Sequence, residues 1–301
     1  MPEYIFPKSI TGPEPQNLSI FALKPARLTE RAVAEVARRF GLAGDERETI
    51  VVQHPDWMSL AQGRSEVRVH RGSGGWRYRN HATWQVDDGT SNLEMRDAEG
   101  AALAMKHVDQ FALADPRECH LLKVTRLHVG VTERATGYAE ERVIDLGVAV
   151  QRTIDGVAVE GPGGKIVIYL DHEGAVTGVD RLWRDIEDRV QPVSRLVPLQ
   201  AALDDLVEQW GREGPGQVLV EEARLAYFEL GWEHAQEYLQ PAYILPLRIT
   251  SGGDRPFVRR SEHVFPAAEN AVGTLIPRTR RPTQQERRTT PPSYGHETGA
   301  S

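Results

Sequence analysis

Ten histidines are scattered along the chain, and those with a carboxylate close by are where chemistry could reside. In Gln53-His54-Pro55-Asp56-Trp57 an aspartate follows a histidine by two residues. An imidazole oriented by a carboxylate is the centre of general-base catalysis. The competing reading is a turn, since Asp after Pro is a common turn residue. His234 and Glu237 stand three apart in GWEHAQEYLQP; on a helix such a pair would offer two metal ligands on one face. That segment lies between two strand patterns and ends at Pro241, so a solvated acidic loop competes, and a third ligand would have to come from His128 or His263. The catalytic candidates are therefore His54, Asp56, His128, His234 and Glu237, with His234 and Glu237 as the metal candidates. Cys119, the only cysteine, excludes an internal disulfide and a cysteine-built zinc site. Its neighbour His120 would point to the opposite face of a strand. No H-E-x-x-H and no G-x-S-x-G occurs, and neither a metal nor a cofactor is expected.

The corner Gly161-Pro162-Gly163-Gly164-Lys165 has the composition of a phosphate loop. Its spacing fails: the first glycine of G-x-x-x-x-G-K falls on Val159, and Lys165 opens a strand pattern, Lys-Ile-Val-Ile-Tyr-Leu, where a helix is required. A structural turn is the expectation. The aromatic residues suggest something else. Trp76, Trp84, Trp183, Trp232 and Tyr238 fall in or beside strand patterns; they either fill a core or line an apolar groove on the open side of a curved sheet, a candidate binding surface.

The elements that would position these groups follow from periodicity. Residues 1–27 are proline-rich and aperiodic, an extended arm. A helix begins after Thr29 with Val33, Val36, Ala37 and Phe40 on one face. A second is predicted over 98–113 with Ala104, Val108, Phe111 and Ala112 inward, and a third after Pro198 with Leu199, Ala202, Leu203, Leu206, Val207 and Trp210 in one stripe. Each precedes a run of strand patterns: a hairpin through 66–86, a long amphipathic strand at 120–134 with Leu127, Val129 and Val131 on one face, the ribbon 151–183, and the closing pair VLVEEARLAYFELGW and YLQPAYILPLRIT. The corners RGSGGWRY (71–78) and EGPGGKIV (160–167) resemble one another, which suggests an internal repeat. The fold expected is α+β, with helices packed on curved antiparallel sheets, as two PepSY-like or cystatin-like modules at 28–115 and 116–277. The last stretch, 278–301, holds five arginines and three prolines and is expected to be a disordered basic tail.

The stretch 151–183 resembles the PepSY-like propeptide modules of secreted metalloproteases and the related modules of the YycH and YycI regulatory proteins. The shared pattern is Gln151, Asp155-Gly156-Val157, Val159, Gly161 and then KIVIYLDHEGAV, with EEARLAYFEL and YLQPAYILPLRI similar to the closing part of such modules. The resemblance implies binding rather than catalysis: such modules chaperone or inhibit a protease, or regulate a signalling partner.

Bulk composition narrows the alternatives. The chain has 301 residues, 40% apolar and 26% charged, with a net charge of −7. That balance suits a globular protein and argues against nucleic acid or an anionic membrane as partner. No apolar stretch approaches the ~20 residues of a membrane helix, and the first residues show no basic and apolar leader, so a cytoplasmic location is expected. Three functions stand open: a non-catalytic binding or regulatory protein holding a protein partner, a small-molecule-binding protein or enzyme with a pocket in the curved sheet, and a structural assembly component.

Overall fold

Period-two alternation is the dominant pattern in this chain, and the computed structural model turns most of it into strands. The model describes residues 3–7, 10–11, 18–42, 49–83, 92–133, 138–210, 216–250, 252 and 257–275. Three strands come first: β1 (Glu3–Ile5), β2 (Ile10–Thr11) and β3 (Ser19–Leu23). Helix α1 (Glu30–Arg39) leads into β4 (Thr49–Gln53), β5 (Trp57–Gln62), β6 (Ser65–His70) and β7 (Trp76–Asn80). Helix α2 (Asp97–Gln110) leads into β8 (Cys119–Glu133), β9 (Tyr138–Ile154), β10 (Val157–Glu160), β11 (Lys165–Leu170), β12 (Val176–Leu182) and β13 (Ile186–Pro192). Helix α3 (Leu199–Trp210) leads into β14 (Gln217–Val220), β15 (Ala223–Phe228), β16 (Tyr238–Leu239), β17 (Pro241–Thr250) and β18 (Val258–Pro266).

Fifteen of these strands form one sheet whose backbone order is β1-β14-β17-β15-β10-β9-β11-β12-β7-β6-β5-β4, with β18 beside β17, β2 beside β15 and β8 beside β9. Most pairs are antiparallel, but β1–β14, β2–β15 and β10–β15 are parallel. The remaining strands make a small second sheet, β13-β3-β16. This overturns the expected α+β class of helices packed on two antiparallel modules. Strands hold 50% and helices 17% of the described residues, and one mixed sheet is continuous across both expected modules. The physical reason lies in pairing that local periodicity does not reveal. Helices of 10, 14 and 12 residues are too short to cover such a sheet, so one half is closed largely by sheet on sheet.

Two main cores result. The first packs α1 (Val33, Ala37) and α2 (Ala104, Val108) on the inward residues of β5–β7, β9, β11 and β12. Ile166, Ile168 and Leu170 alternate into it with no exposed surface, as their spacing predicts. The second packs β3 and β16 of the small sheet, together with Ala202, Leu203 and Leu206 of α3, against β10, β14, β15 and β17. Tyr227 links its layers, its hydroxyl accepting the Ser19 backbone N–H at 3.1 Å. Three expected inward positions turn outward, and one of them is Val207 of α3, 37% exposed. Ala112 takes φ 47° at the end of α2 and is exposed, while Leu113 fills the buried place. Leu127 of β8 is 41% exposed, because β8 runs along the sheet's edge.

The glycine corner explains how the large sheet joins both cores. Asp155 and Gly156, with φ 51° and 80°, turn β9 back into β10. Both β10 and β11 run antiparallel to β9, on successive stretches of it, and β10 also pairs with β15 whereas β11 pairs with β12. Residues 161–164 are thus a jog in which the chain moves from one half of the sheet to the other. Its look-alike at 71–75 is a plain hairpin between β6 and β7. The jog needs glycine because it lies against residues 228–230: a Cβ on Gly161, at φ 91°, would sit 2.7 Å from the Glu229 carbonyl oxygen, and one on Gly163 would sit 2.6 Å from Glu229 Cγ.

Two consequences are measurable by thermal unfolding. Gly163→Ala forces backbone and side chain apart and should cost about 3 kcal/mol. Gly156→Ala, where a Cβ meets nothing within 4 Å, should cost only the left-handed strain of about 1 kcal/mol. The second consequence concerns His263 of β18, 6% exposed, whose Nε2 lies 3.1 Å from Asp205 Oδ2 of α3 without hydrogen-bond alignment. Burial lowers its pKa, against the pull of Asp205. The fold therefore favours the neutral ring, and its stability should fall as pH drops below the unfolded value of about 6.5. His263→Gln should flatten that acid limb in pH-dependent melting.

Candidate functional site

The residues singled out by sequence do not converge. His54 and Asp56 form the turn between β4 and β5; the His54 ring stacks on Trp57 at 4.9 Å between centroids, and its Nδ1 lies 3.7 Å from Asp56 Oδ2, in open solvent. His128 pairs across strands with Glu141 at 2.8 Å, also exposed. His234 and Glu237 lie in the loop before β16; the His234 carbonyl accepts a bond from Arg184, and the Glu237 carbonyl accepts the Leu23 N–H. Among the described residues no three His, Cys, Asp or Glu side chains are grouped to hold a metal. The Cys119 thiol donates to the Asp115 carbonyl, and burial pushes its pKa up to about 11, which leaves little thiolate for nucleophilic attack. Trp76 and Trp183 are buried at 4% and 5% exposure, Trp232 and Tyr238 are half-buried, and Trp84 lies outside the described residues.

Instead, the structure concentrates buried charge where the two cores meet. Arg184 follows Trp183 directly after β12, and Glu229 follows β15; both are buried, Glu229 completely. Glu229 Oε1 accepts from the Arg184 backbone N–H and from its guanidinium, each at 3.1 Å. The rest of that guanidinium donates to the carbonyls of Leu230 (2.8 Å), Gly231 (3.0 Å) and His234 (2.6 Å). One side chain therefore holds the whole loop after β15 in place. Glu229 Oε2 has no hydrogen-bond partner, and burial raises the carboxyl's pKa against the pull of Arg184 and Arg152.

Arg152 extends this joint outward. It occupies an inward-facing position of β9, in register with Val148, Val150 and Ile154, and its side chain is 4% exposed. Its Nε donates to Glu118 at 2.8 Å, its Nη1 donates to the Arg184 carbonyl at 2.8 Å, and the guanidinium lies over the Trp183 ring at 5.1 Å. Beyond it opens a cleft of about 450 Å³. Phe21 of β3, Ile154 of β9 and Ile186 of β13 supply apolar wall, and Arg181 and Arg189 line it together with Arg152. Arg189 covers Phe21 at 5.5 Å and pairs with Asp155 at 2.9 Å.

Sequence reasoning missed this cleft because its lining comes from several elements distant in sequence. The one available signal was parity: an arginine at 152 interrupts an apolar alternation running from 146 to 154, and a charged residue on a buried face needs a partner.

The edge strand β4 is the second feature. Ile50, Val51 and Val52 are 64%, 45% and 44% exposed, so both of its faces meet solvent. Among the described residues β4 pairs with β5 alone.

Removing Arg184 should test the joint. Arg184→Met leaves Glu229 buried without its cation, a change that costs about 3–5 kcal/mol in comparable cases. Glu229's carboxyl already has a raised pKa, and losing the arginine raises it further. The deficit measured by denaturant unfolding should therefore be largest near neutral pH and shrink as the medium becomes acid and the carboxyl takes up its proton.

No family model matches the chain, and no curated protein matches it in sequence. Among solved structures, the chain is similar to an uncharacterized protein from Eubacterium rectale ATCC 33656, at a TM-score of 0.50 and 10% identity, with 84% of each chain covered; at that identity the likeness shows the fold alone.

Proposed function

We propose that this is a non-catalytic binding protein, acting in the cytoplasm, that takes an extended segment of a partner protein as an added strand on β4. The observation that supports this reading is the exposed, uncharged edge Thr49-Ile-Val-Val-Gln53. Exposed sheet edges are normally blunted by charges, bulges or proline. The edge strand β8 is treated in that way: it carries Lys123 and Arg126, both exposed, and its ladder is broken by irregularities at Leu121/Lys123 and Leu127/His128. On β4 these guards are missing from residues 49–53, and three consecutive β-branched apolar residues face water.

Its hydrogen-bond parity fits. The His54 backbone N–H donates to the Trp57 carbonyl at 2.8 Å, so by alternation Ile50 and Val52 bond towards β5 while Val51 and Gln53 direct their backbone groups outward. An incoming strand would take those bonds and cover the apolar side chains on both faces, the usual mode of strand addition. The resemblance of 151–183 to PepSY-like modules, which act by holding other proteins, supports the same reading. It leaves the exposed His54–Asp56 and His128–Glu141 pairs as surface contacts.

Val51→Pro is a clean probe, since it removes an outward N–H and no bond of the β4–β5 ladder. Affinity capture with the wild type and this variant, quantified by mass spectrometry, should show a protein recovered with the wild type and depleted at least about tenfold with the variant, the loss expected for a few main-chain hydrogen bonds. Leu127→Lys on β8 should leave recovery unchanged. Equal recovery with both β4 forms, or a partner lost only with the β8 variant, would sink the proposal.

A further inference from the structure

The cleft beside Arg152 offers a second site, independent of strand addition, and its charge inventory selects a ligand class. Two guanidiniums there retain unused donors. Arg152 Nη2 has no hydrogen-bond partner among the described residues, on a side chain that is only 4% exposed and lines the cleft. Arg189 spends one nitrogen on Asp155 and keeps Nε and Nη1. Arg181 has all three nitrogens engaged, by the carbonyls of Leu113 and Trp183 and by Asp185. The carboxylates are likewise half used: Glu118 gives Oε2 to Arg152, Asp155 gives Oδ2 to Arg189, and Asp185 gives Oδ1 to Arg181. Each keeps one oxygen without a hydrogen-bond partner among the described residues.

From this arrangement we infer that the cleft binds a small zwitterion, an aliphatic α-amino acid or a short peptide bearing both termini. Its carboxylate would be held by Arg152 Nη2 and Arg189, its ammonium by the spare oxygens of Glu118 and Asp155, and its side chain by Ile154 and Ile186. A simple anion fits poorly. The four lining carboxylates, Asp115 among them, outnumber the three arginines, so a phosphate would meet net repulsion, whereas a ligand that brings its own cation matches both signs. The volume of about 450 Å³ lies in the range of small-molecule sites. The guanidiniums of Arg152 and Arg189 lie over the Trp183 and Phe21 rings at 5.1 and 5.5 Å, cation–π contacts that favour these positions before the ligand arrives and so reduce the ordering cost of binding.

Isothermal titration of the full chain with L-leucine, L-leucyl-L-leucine, N-acetyl-L-leucine, L-leucine amide and inorganic phosphate tests this. One or both zwitterions should bind, and the free amino acid and the dipeptide separate the two sources of that chemistry. Each blocked form should bind at least about tenfold more weakly, the loss expected for one charge-assisted pairing. Arg189→Gln and Glu118→Gln, at side chains 57% and 35% exposed, should each weaken the zwitterion by a similar factor while the melting curve stays cooperative. Val51→Pro should leave the titration unchanged, which separates this site from the β4 reading. Heat from neither zwitterion at millimolar concentration, phosphate or N-acetyl-L-leucine binding as well as L-leucine, or both cleft variants titrating like wild type would each overturn the inference.

Discussion

A charge pair sealed between two apolar cores is the constraint from which the rest of this architecture follows. Arg184 and Glu229 have almost no water to solvate them, so the surrounding backbone must do so. The guanidinium is satisfied by three carbonyls of the loop after β15 and by the carboxylate. In turn the glycine jog must lie flat enough to close over Glu229, which is why side chains are excluded at 161 and 163. Replacing a buried pair by apolar residues is often neutral for stability. Its value here is positional: it sets where β10 leaves one half of the sheet for the other, and it holds the carbonyl to which Arg152 is anchored. A glycine run that has the composition of an anion loop is therefore occupied with a carboxylate of its own chain.

What local pattern encodes was readable. The stripe of α3 and the alternation Ile166, Ile168, Leu170 each predict an element and its buried face; Ala202, Leu203, Leu206 and the three β11 residues are buried, whereas Val207 at the margin of the stripe is 37% exposed. What depends on partners distant in the chain was not. The five-residue strand Thr49–Gln53 shows no alternation, because neither face is buried, and so reads as loop. The apolar side of β8 suggests a core position, yet its neighbour on one side is solvent. Helix periodicity locates the three helices but not the layer opposite the second core, since that layer is a sheet formed by β3, β13 and β16 from three remote segments. The histidine–carboxylate pairs are legible as pairs; their exposure is a tertiary fact.

The two long edges of the large sheet illustrate how similar composition takes on different meaning. Both expose aliphatic residues, but on β8 irregular register and basic side chains interrupt the ladder, so its backbone is a poor template. On β4 the ladder is regular over all five residues. Exposed aliphatic area alone is common on protein surfaces; coupled to an orderly, outward set of amides it becomes a specific liability or a specific use.

Strands β1 and β3 also determine when the molecule can be completed. Glu3 and Gln217 are hydrogen-bonded across 214 positions, and Ser19–Leu23 lies between β13 and β16. During synthesis Ser19–Leu23 must wait, unpaired and carrying Ile20, Phe21 and Leu23, until β13 and β16 have left the ribosome. The half built from α1, α2 and β5–β7 still needs β9, β11 and β12, but it closes earlier. A chain with this topology acquires its structure in stages, with a slow last step set by long-range loop closure, and its early apolar strand stays exposed until its distant partners arrive.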